Sequence, residues 1–444
     1  MAKYAWAAEL LNLNTMKIKK IELQNFRCFK EYELAFSERF TLLIGDNGSG
    51  KTAVLDALAL AISKFLEHYH EVTNLRSISD DDTHYEFFSM GQTLIKEKDH
   101  SRLRINIEGI VNNHHIEWLL LSQKKFDLTS ESTRIPLIGL DLVKPGTLLP
   151  LLVFYGTDRL WNVIDNDEIE TLSPDSRLSG YRDCLNIASD LKQLFRWFKT
   201  QELAALQKQE RRHVLEAVRG AIVSMIPDAQ KVWWDVDWDE ILIETIIQGK
   251  PQTIPFHLLS DGYRNMIGMV ADIAYRMATL NPQLEADVIK QTEGIVLIDE
   301  IDLHLHPKWQ KLVVERLLDT FPKVQFVASS HSPFIIQSLY QREDCLLWDL
   351  EKNAPVEVDS KSIEDIAENQ QGVDIPQQSQ RFLDMEKAAE QYYAVLKQIP
   401  PAADDEKQRL RQRLDELLLP YSDDPAFQAF LKMERLAVEG NTEE

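Results

Sequence analysis

Lys51 and Thr52 close a glycine-rich run, Gly45-Asp46-Asn47-Gly48-Ser49-Gly50-Lys51-Thr52-Ala53, that follows one apolar stretch and opens another. The spacing from Gly45 to Thr52 is that of a phosphate-binding loop, and a strand before it with a helix after it is the context such a loop requires. Backbone N–H groups converge on phosphate oxygens only through tight turns and close backbone approach, which glycine adopts freely. Lys51 adds a point charge for the β- and γ-phosphates and Thr52 offers a hydroxyl to Mg²⁺. The N-terminus of the helix that follows contributes its partial positive charge.

Two carboxylates stand at the end of a second apolar stretch, Gly294-Ile295-Val296-Leu297-Ile298-Asp299-Glu300. Neighbouring carboxylates at a strand end divide labour: Asp299 suits Mg²⁺ beside the Thr52 hydroxyl, and Glu300 suits the orientation and deprotonation of an attacking water. A third buried strand, Val324 to Ala328, runs into Ser329-Ser330-His331-Ser332-Pro333, where His331 can hydrogen-bond a γ-phosphate. Between these lies Leu258-Leu259-Ser260-Asp261-Gly262-Tyr263-Arg264 at the start of an apolar-periodic helix. That is an anion site by geometry, although Ser260 taken alone reads more readily as an ordinary helix cap. Asp302, His304 and His306 after the acidic strand admit a metal-ligand reading. Pro307, which fits a first helical turn, favours a shaped loop instead.

The elements that must position these groups follow from periodicity. From Met16, a candidate translational start, Lys17 to Leu23 alternates as a half-buried strand, and a second strand near Tyr32–Phe36 completes a hairpin leading into the phosphate-loop strand. Leu103–Ile107 and Ile110–Trp118 read as antiparallel strands inserted between parallel ones, with His114 and His115 facing solvent at a hairpin turning on Asn112-Asn113. Leu149–Phe154 is a buried strand emptying into Tyr155-Gly156-Thr157-Asp158-Arg159, a candidate nucleotide-contacting loop. Helical spacing at Leu191, Leu194, Phe195 and Phe198, continued by Leu203 to Ile222, predicts a helical insertion over 165–252. A short β piece at Trp234–Ile247 closes it. The domain boundaries expected are an extension over 1–15, an N-terminal lobe over 16–164, the insertion, a C-terminal lobe over 253–358 and a helical appendage over 359–444.

The chain has 444 residues and a formal net charge of −22, so adhesion to nucleic acid through its overall field is excluded. Cys28, Cys184 and Cys345 are far apart and form no C-x-x-C pair, which speaks against a disulfide framework or structural zinc. No apolar run is long enough to span a membrane and no signal-peptide pattern opens the chain, so the expected location is the cytoplasm, with no membrane partner.

In order and spacing, Gly45–Thr52, Leu259–Arg264, Ile295–Glu300, Asp302 and His331 resemble the ATPase heads of the ABC superfamily, in the branch that holds DNA-repair heads and OLD-like ATPases. The resemblance covers roughly 16–350. It implies an α/β fold: an ABC-type ATPase head with a mixed central sheet, an antiparallel β subdomain, a helical insertion and a C-terminal helical appendage. It also implies ATP and Mg²⁺ as cofactors and an active site shared by two heads in a head-to-tail dimer. Lys51, Thr52, Asp299, Glu300 and His331 of one chain would then face Ser260 and Gly262 of the other. Arg27, in Leu23-Gln24-Asn25-Phe26-Arg27, would approach the nucleotide. The chain departs from the pattern twice: the loop at 155–159 lacks the expected glutamine, and Asp261 replaces a signature glycine.

More narrowly, Leu258–Asn265, Asp299–Pro307, Tyr155–Trp161 and Tyr421-Ser422-Asp423-Asp424-Pro425 look like the ATPase subunit of Septu and retron-associated anti-phage systems. That likeness implies a separate HNH nuclease as partner, a reverse transcriptase with its RNA/DNA product in the retron setting, and DNA reached only through a partner. A DNA-repair ATPase of the structural-maintenance or RecF type is the alternative, although no long coiled coil is present. A transporter ATPase subunit stands further off.

Overall fold

Alternating burial builds the N-terminal strands. In β1 (Met16–Phe26) and β2 (Phe29–Ala35), successive side chains point to core and solvent, and the two pair antiparallel with Leu23 opposite Tyr32. The run Phe40–Ile44, β3, is buried at every position, as a central parallel strand must be. It feeds the loop that opens helix α1 (Lys51–Leu66), whose residues are buried on nearly all sides. An all-round apolar helix has to lie between layers, and α1 packs against strands of two different sheets.

The computed structural model describes residues 16–67, 69, 72, 74–90, 93–98, 102–111, 114–121, 146–159, 176–185, 192–358, 362–373, 376, 379–396 and 404–418. The expected N-terminal extension, the Asn112-Asn113 turn, Leu160, Trp161, Leu191 and the stretch 421–425 lie outside them. Two compact units divide the chain, one ending at Ile363 and the other beginning at Glu364.

In the first unit, β4 (Tyr85–Met90) and β5 (Thr93–Lys98) form a separate hairpin, and β6 (Arg104–Val111) pairs antiparallel with β7 (His114–Leu121). These last two do not enter the parallel sheet. They join β1 and β2 in a four-stranded antiparallel sheet of order β2-β1-β6-β7, with His114 and His115 exposed on its edge strand. Next come β8 (Leu151–Tyr155), the helices α2 (Lys192–Lys208) and α3 (His213–Met225), and the antiparallel strands β9 (Ala229–Asp235), β10 (Glu240–Ile247) and β11 (Lys250–Pro255). Helical spacing therefore ends at Met225, and the β piece is a complete three-stranded sheet extending on both sides of 234–247.

Helix α4 (Asp261–Leu280) then leads to β12 (Gly294–Ile298), helix α5 (Val313–Thr320), β13 (Val324–Ser329), β14 (Cys345–Asp349) and β15 (Ala354–Val356). The central sheet has the order β15-β14-β3-β13-β12-β8, parallel from β8 to β14 with β15 antiparallel at the edge. Each strand that carries a motif, β3, β12 and β13, therefore lies beside another, and their C-terminal ends gather on one rim. A ligand crevice forms outside the carboxyl ends of parallel strands. A fully buried Gln325 on β13 stitches the two large sheets together: its amide nitrogen donates to the carbonyls of Ile18 (2.7 Å) and Ser37 (2.7 Å), and its oxygen accepts from the Ile18 N–H (2.8 Å).

The second unit holds α6 (Ile363–Gln371) from its second residue on, with α7 (Gln380–Leu396) and α8 (Asp404–Leu418). The α7–α8 pair has its own core of Met385, Ala388, Ala389, Tyr392, Tyr393 and Leu414.

Candidate functional site

The phosphate loop leaves β3 at Gly45 and turns through left-handed backbone at Gly48 (φ 89°) and Gly50 (φ 99°). Gly50 is needed twice over: it caps α1 in that conformation, and a Cβ there would sit 2.3 Å from the Phe29 ring. Lys51 is buried at the first turn of α1, with its ammonium bridging the carbonyls of Gly45 (2.8 Å) and Asp46 (2.9 Å). Burial holds its pKa below the usual lysine value, although Asp299 and Asp46 pull the other way. The Ser49 hydroxyl is buried beside Gly45 and has no hydrogen-bond partner, an orphaned donor inside the cradle that a phosphate oxygen would satisfy. Asp46 and Asn47 are exposed at the lip, where the Asp46 N–H donates to the Glu351 carboxylate (2.7 Å). Ala53 is buried behind Thr52.

The acidic strand arrives beside this loop. Thr52 Oγ1 donates to Asp299 Oδ2 at 2.8 Å, so the two groups assigned to a divalent cation are in direct contact. Ser329 Oγ, from the end of β13, donates to Asp299 Oδ1 (2.5 Å) and accepts from the Glu300 N–H (2.7 Å). Glu300 itself lies in the left-handed region with φ 50°, a conformation that costs a non-glycine residue about 1–2 kcal/mol and turns the chain sharply away from the strand. His331 follows two residues after Ser329 and is exposed at the same rim.

The signature segment packs on the turn that follows the acidic strand. Ser260 is exposed at the N-terminus of α4, and the start of that helix packs on 302–309, the segment after the acidic strand. Gly262 permits that contact, because a Cβ would stand 2.5 Å from the His304 carbonyl oxygen. Asn265 donates to the Leu303 carbonyl (2.9 Å), and the Tyr263 ring meets Trp309 edge-on at 4.9 Å. Asp261 is paired with Arg264 on its own helix, which offsets the acidic charge in the signature. His306 accepts from the Lys308 N–H as a helix cap, and Asp302 accepts from Ser330 Oγ (2.6 Å). The His-rich loop is thus a shaped turn, and no metal-binding group of three or more His, Cys, Asp or Glu occurs among the described residues.

Arg27 is placed differently from the loop residues. Its half-buried guanidinium pairs with Asp56 on α1 and with Asp82, while Arg76 holds the other Asp56 oxygen. Asp56 and Asp82 together anchor the turn after β1, and the Arg27 charge is already balanced there.

Sequence reasoning gave Ser329, Arg159 and Asn265 no role of their own, naming them only within longer runs. Arg159 was visible only as the end of a polar exit loop. In the fold the residue is 2% exposed and its guanidinium donates to the carbonyls of Gly156 (2.7 Å), Asp299 (2.5 Å) and Glu300 (2.6 Å) and to the Asn265 side-chain oxygen (3.2 Å). Burial pushes its pKa down to about 10 against the pull of Asp299, Glu300 and Asp302. The signal was a full-length charged side chain directly behind a wholly apolar strand, where solvent is scarce.

A phosphate cradle with an ordered lysine, a hydroxyl–carboxylate pair for a cation and a glutamate at the adjoining strand end is the arrangement of a P-loop ATPase. Residues 20–230 match the profile of an AAA domain, and residues 159–337 match a second AAA-domain profile. The chain is similar to proteins named as retron ATPases and as Septu proteins. It is 26% identical over 404 residues to "Retron Vc95 probable ATPase" from Vibrio cholerae, an alignment covering 78% of this chain and 76% of that protein. It is 24% identical over 407 residues to "Retron Ec83 probable ATPase" from Escherichia coli (77% and 73% covered). It is 25% identical over 344 residues to "Septu protein PtuA" from Bacillus mycoides, where the alignment covers 76% of this chain and 41% of the other.

Proposed function

We propose that this ATPase is the nucleotide-responsive subunit of an anti-phage defence complex and that ATP-dependent pairing of its heads regulates a separate HNH-type nuclease. The observation that supports the reading is a second, solvent-exposed anion-type helix end on the same chain as the phosphate loop. The loop, Asp299 and Glu300 lie on the sheet rim, whereas exposed Ser260 opens α4 between the exposed apolar residues Leu258 and Tyr263. A helix N-terminus with apolar flanks suits the phosphates of a nucleotide held by a second copy. The homology to retron and Septu ATPases supports the defence context.

In this reading Asp46 to Ala53 enclose the triphosphate, with Lys51 on its β- and γ-phosphates. Thr52 and Asp299 would hold Mg²⁺, which would supply charge neutralisation for the β- and γ-phosphate oxygens as ADP departs. Glu300 accepts the proton of the attacking water, and His331 contacts the γ-phosphate. Ser260 and Gly262 of the second head complete the enclosure, excluding water other than the nucleophile. Arg27 reaches the nucleotide only if it leaves Asp56 or Asp82. The complex is cytoplasmic, it reaches DNA only through the nuclease, and a retron context adds a reverse transcriptase with its RNA/DNA product. Among the described residues no helix is long and apolar enough to cross a membrane.

Co-expression with the protein encoded beside it tests the reading. A nuclease should co-purify, and DNA cleavage by the complex should differ between ATP and no nucleotide. A chain that purifies alone, or cleavage indifferent to nucleotide and to Glu300→Gln, would sink it.

A further inference from the structure

Arg159 is a charge buried in the first unit, and among the described residues its hydrogen-bond partners are all neutral. Among the described residues no carboxylate forms an ion pair with it, and its donors go to three backbone carbonyls and one amide oxygen. Burying a guanidinium this way is expensive, and an apolar side chain of similar volume would fill the space at lower cost. What the arginine supplies is a fork of fixed geometry. One terminal nitrogen grips the Asp299 carbonyl and the other grips the Glu300 carbonyl, at the point where the chain leaves strand geometry for the left-handed region.

The Glu300 N–H is held from the other side by Ser329. With both its N–H and its carbonyl fixed, the Cα–Cβ direction of Glu300 is set, and with it the path of its carboxylate. The third arm reaches Asn265, which also donates to Leu303 and is the first buried residue of the signature helix.

We propose that Arg159 is a positioning residue for hydrolysis: it holds the backbone of Glu300 in the orientation the base requires and, through Asn265, makes that orientation depend on how the signature helix is seated. This rests on the reading of Glu300 as the general base. In a head-to-tail pair the signature of each chain serves the other chain's nucleotide, so the Arg159–Asn265 contact joins one chain's role at the two sites.

The test is a split between turnover and binding. Arg159→Lys keeps the charge and loses the fork, so kcat should fall by about ten- to hundredfold while ATP affinity changes by less than about threefold. In a Glu300→Gln background the same change should lower the residual turnover no further, because both act through one group. Asn265→Ala leaves the arginine in place and removes one arm; it should give the same kcat-selective loss, smaller in size, in a protein whose thermal unfolding matches wild type. It decides the matter if Arg159→Lys does not fold. The inference is overturned if both variants turn over at the wild-type rate, if ATP affinity falls as much as kcat, or if the Arg159 and Glu300 effects multiply. Wild-type-like Arg159→Lys beside an inactive Glu300→Gln sinks this inference alone. An unaffected Glu300→Gln sinks the assignment of the base and this inference with it.

Discussion

Ser329 Oγ stands 2.5 Å from Asp299 Oδ1 and 2.7 Å from the Glu300 N–H, so one hydroxyl on β13 serves both carboxylate-bearing residues at the end of β12. It donates to the first and accepts from the second, which fixes the direction of its proton. Replacing it by alanine leaves the Glu300 N–H without its acceptor and lets Asp299 rotate away from Thr52. Removing one partner of a part-buried pair costs about 1–3 kcal/mol locally. Ser329→Ala should therefore lower kcat by about tenfold or more and raise the Mg²⁺ concentration needed for half-maximal hydrolysis, read from turnover across a Mg²⁺ titration at saturating ATP. An unchanged Mg²⁺ dependence would separate Ser329 from the cation pair.

Lys51 and Glu300 should fail in opposite ways. The Lys51 ammonium already bridges two carbonyls of its own loop, so it is positioned to bind phosphate without rearranging the helix. Lys51→Ala should weaken ATP binding by at least about tenfold, and titration calorimetry checks it. Glu300→Gln removes the base and keeps the shape: ATP should remain bound with turnover reduced by about a hundredfold or more, within the usual range for a lost general base. Because an ATP-held pair would then persist, the Glu300→Gln chain with ATP should elute at twice the mass of the apo chain. Equal ATP affinity in Lys51→Ala contradicts the loop assignment.

Gly262 has a use inside its own chain besides the one proposed for it in a dimer. A methyl group there would meet the His304 carbonyl at 2.5 Å, a backbone atom that cannot rotate away. Gly262→Ala must therefore shift either the first turn of α4 or the 302–309 segment. Expected is loss of ATP-dependent pairing and of most hydrolysis, with nucleotide still bound and unfolding changed by only about 1–2 kcal/mol, since the shift is confined to a surface turn. Ser260→Ala, which introduces no clash, should reduce pairing alone. If Gly262→Ala assembles and hydrolyses normally, the turn is not part of the interface.

The chemistry was legible where a motif is a local run. Gly45 to Thr52 and Asp299-Glu300 each sit on one strand end, and a fully apolar strand announces a central position in a parallel sheet before any coordinates exist. Contacts made across distant parts of the chain were not legible. Ser329 reads as one serine in a polar string, and only the β12–β13 register, which pairs Ile298 with Ala328, brings it to the carboxylates. Arg159 and Asn265 are 106 residues apart and share no pattern. The strands β6 and β7 show the converse: alternation correctly makes them half-buried strands, but it does not say which sheet they join, and their pairing with β1 is set by the long-range fold. Arg27 illustrates a third case, in which family resemblance places a cation at the nucleotide while Asp56 and Asp82, remote in sequence, supply its counter-charges.

Lys17 gives the protein a pH signature independent of the nucleotide site. Its part-buried ammonium donates to the carbonyls of Lys323 (2.8 Å) and Glu38 (3.2 Å). Desolvation lowers its pKa from the usual 10.5 to about 8, with nearby Glu293 opposing. Between those values the unfolded chain holds a proton that the folded chain has released, so stability rises as pH increases through this window and the gain is lost as pH falls back to about 8. Other groups titrate there too, so the difference from Lys17→Met isolates the effect. From pH 8 to pH 10 the stability of wild type relative to Lys17→Met should grow by on the order of 1–2 kcal/mol, allowing for partial exposure of the side chain. Urea unfolding at pH 8, 9 and 10 measures it, and parallel profiles for the two proteins would mean that Lys17 keeps an ordinary pKa in the folded state.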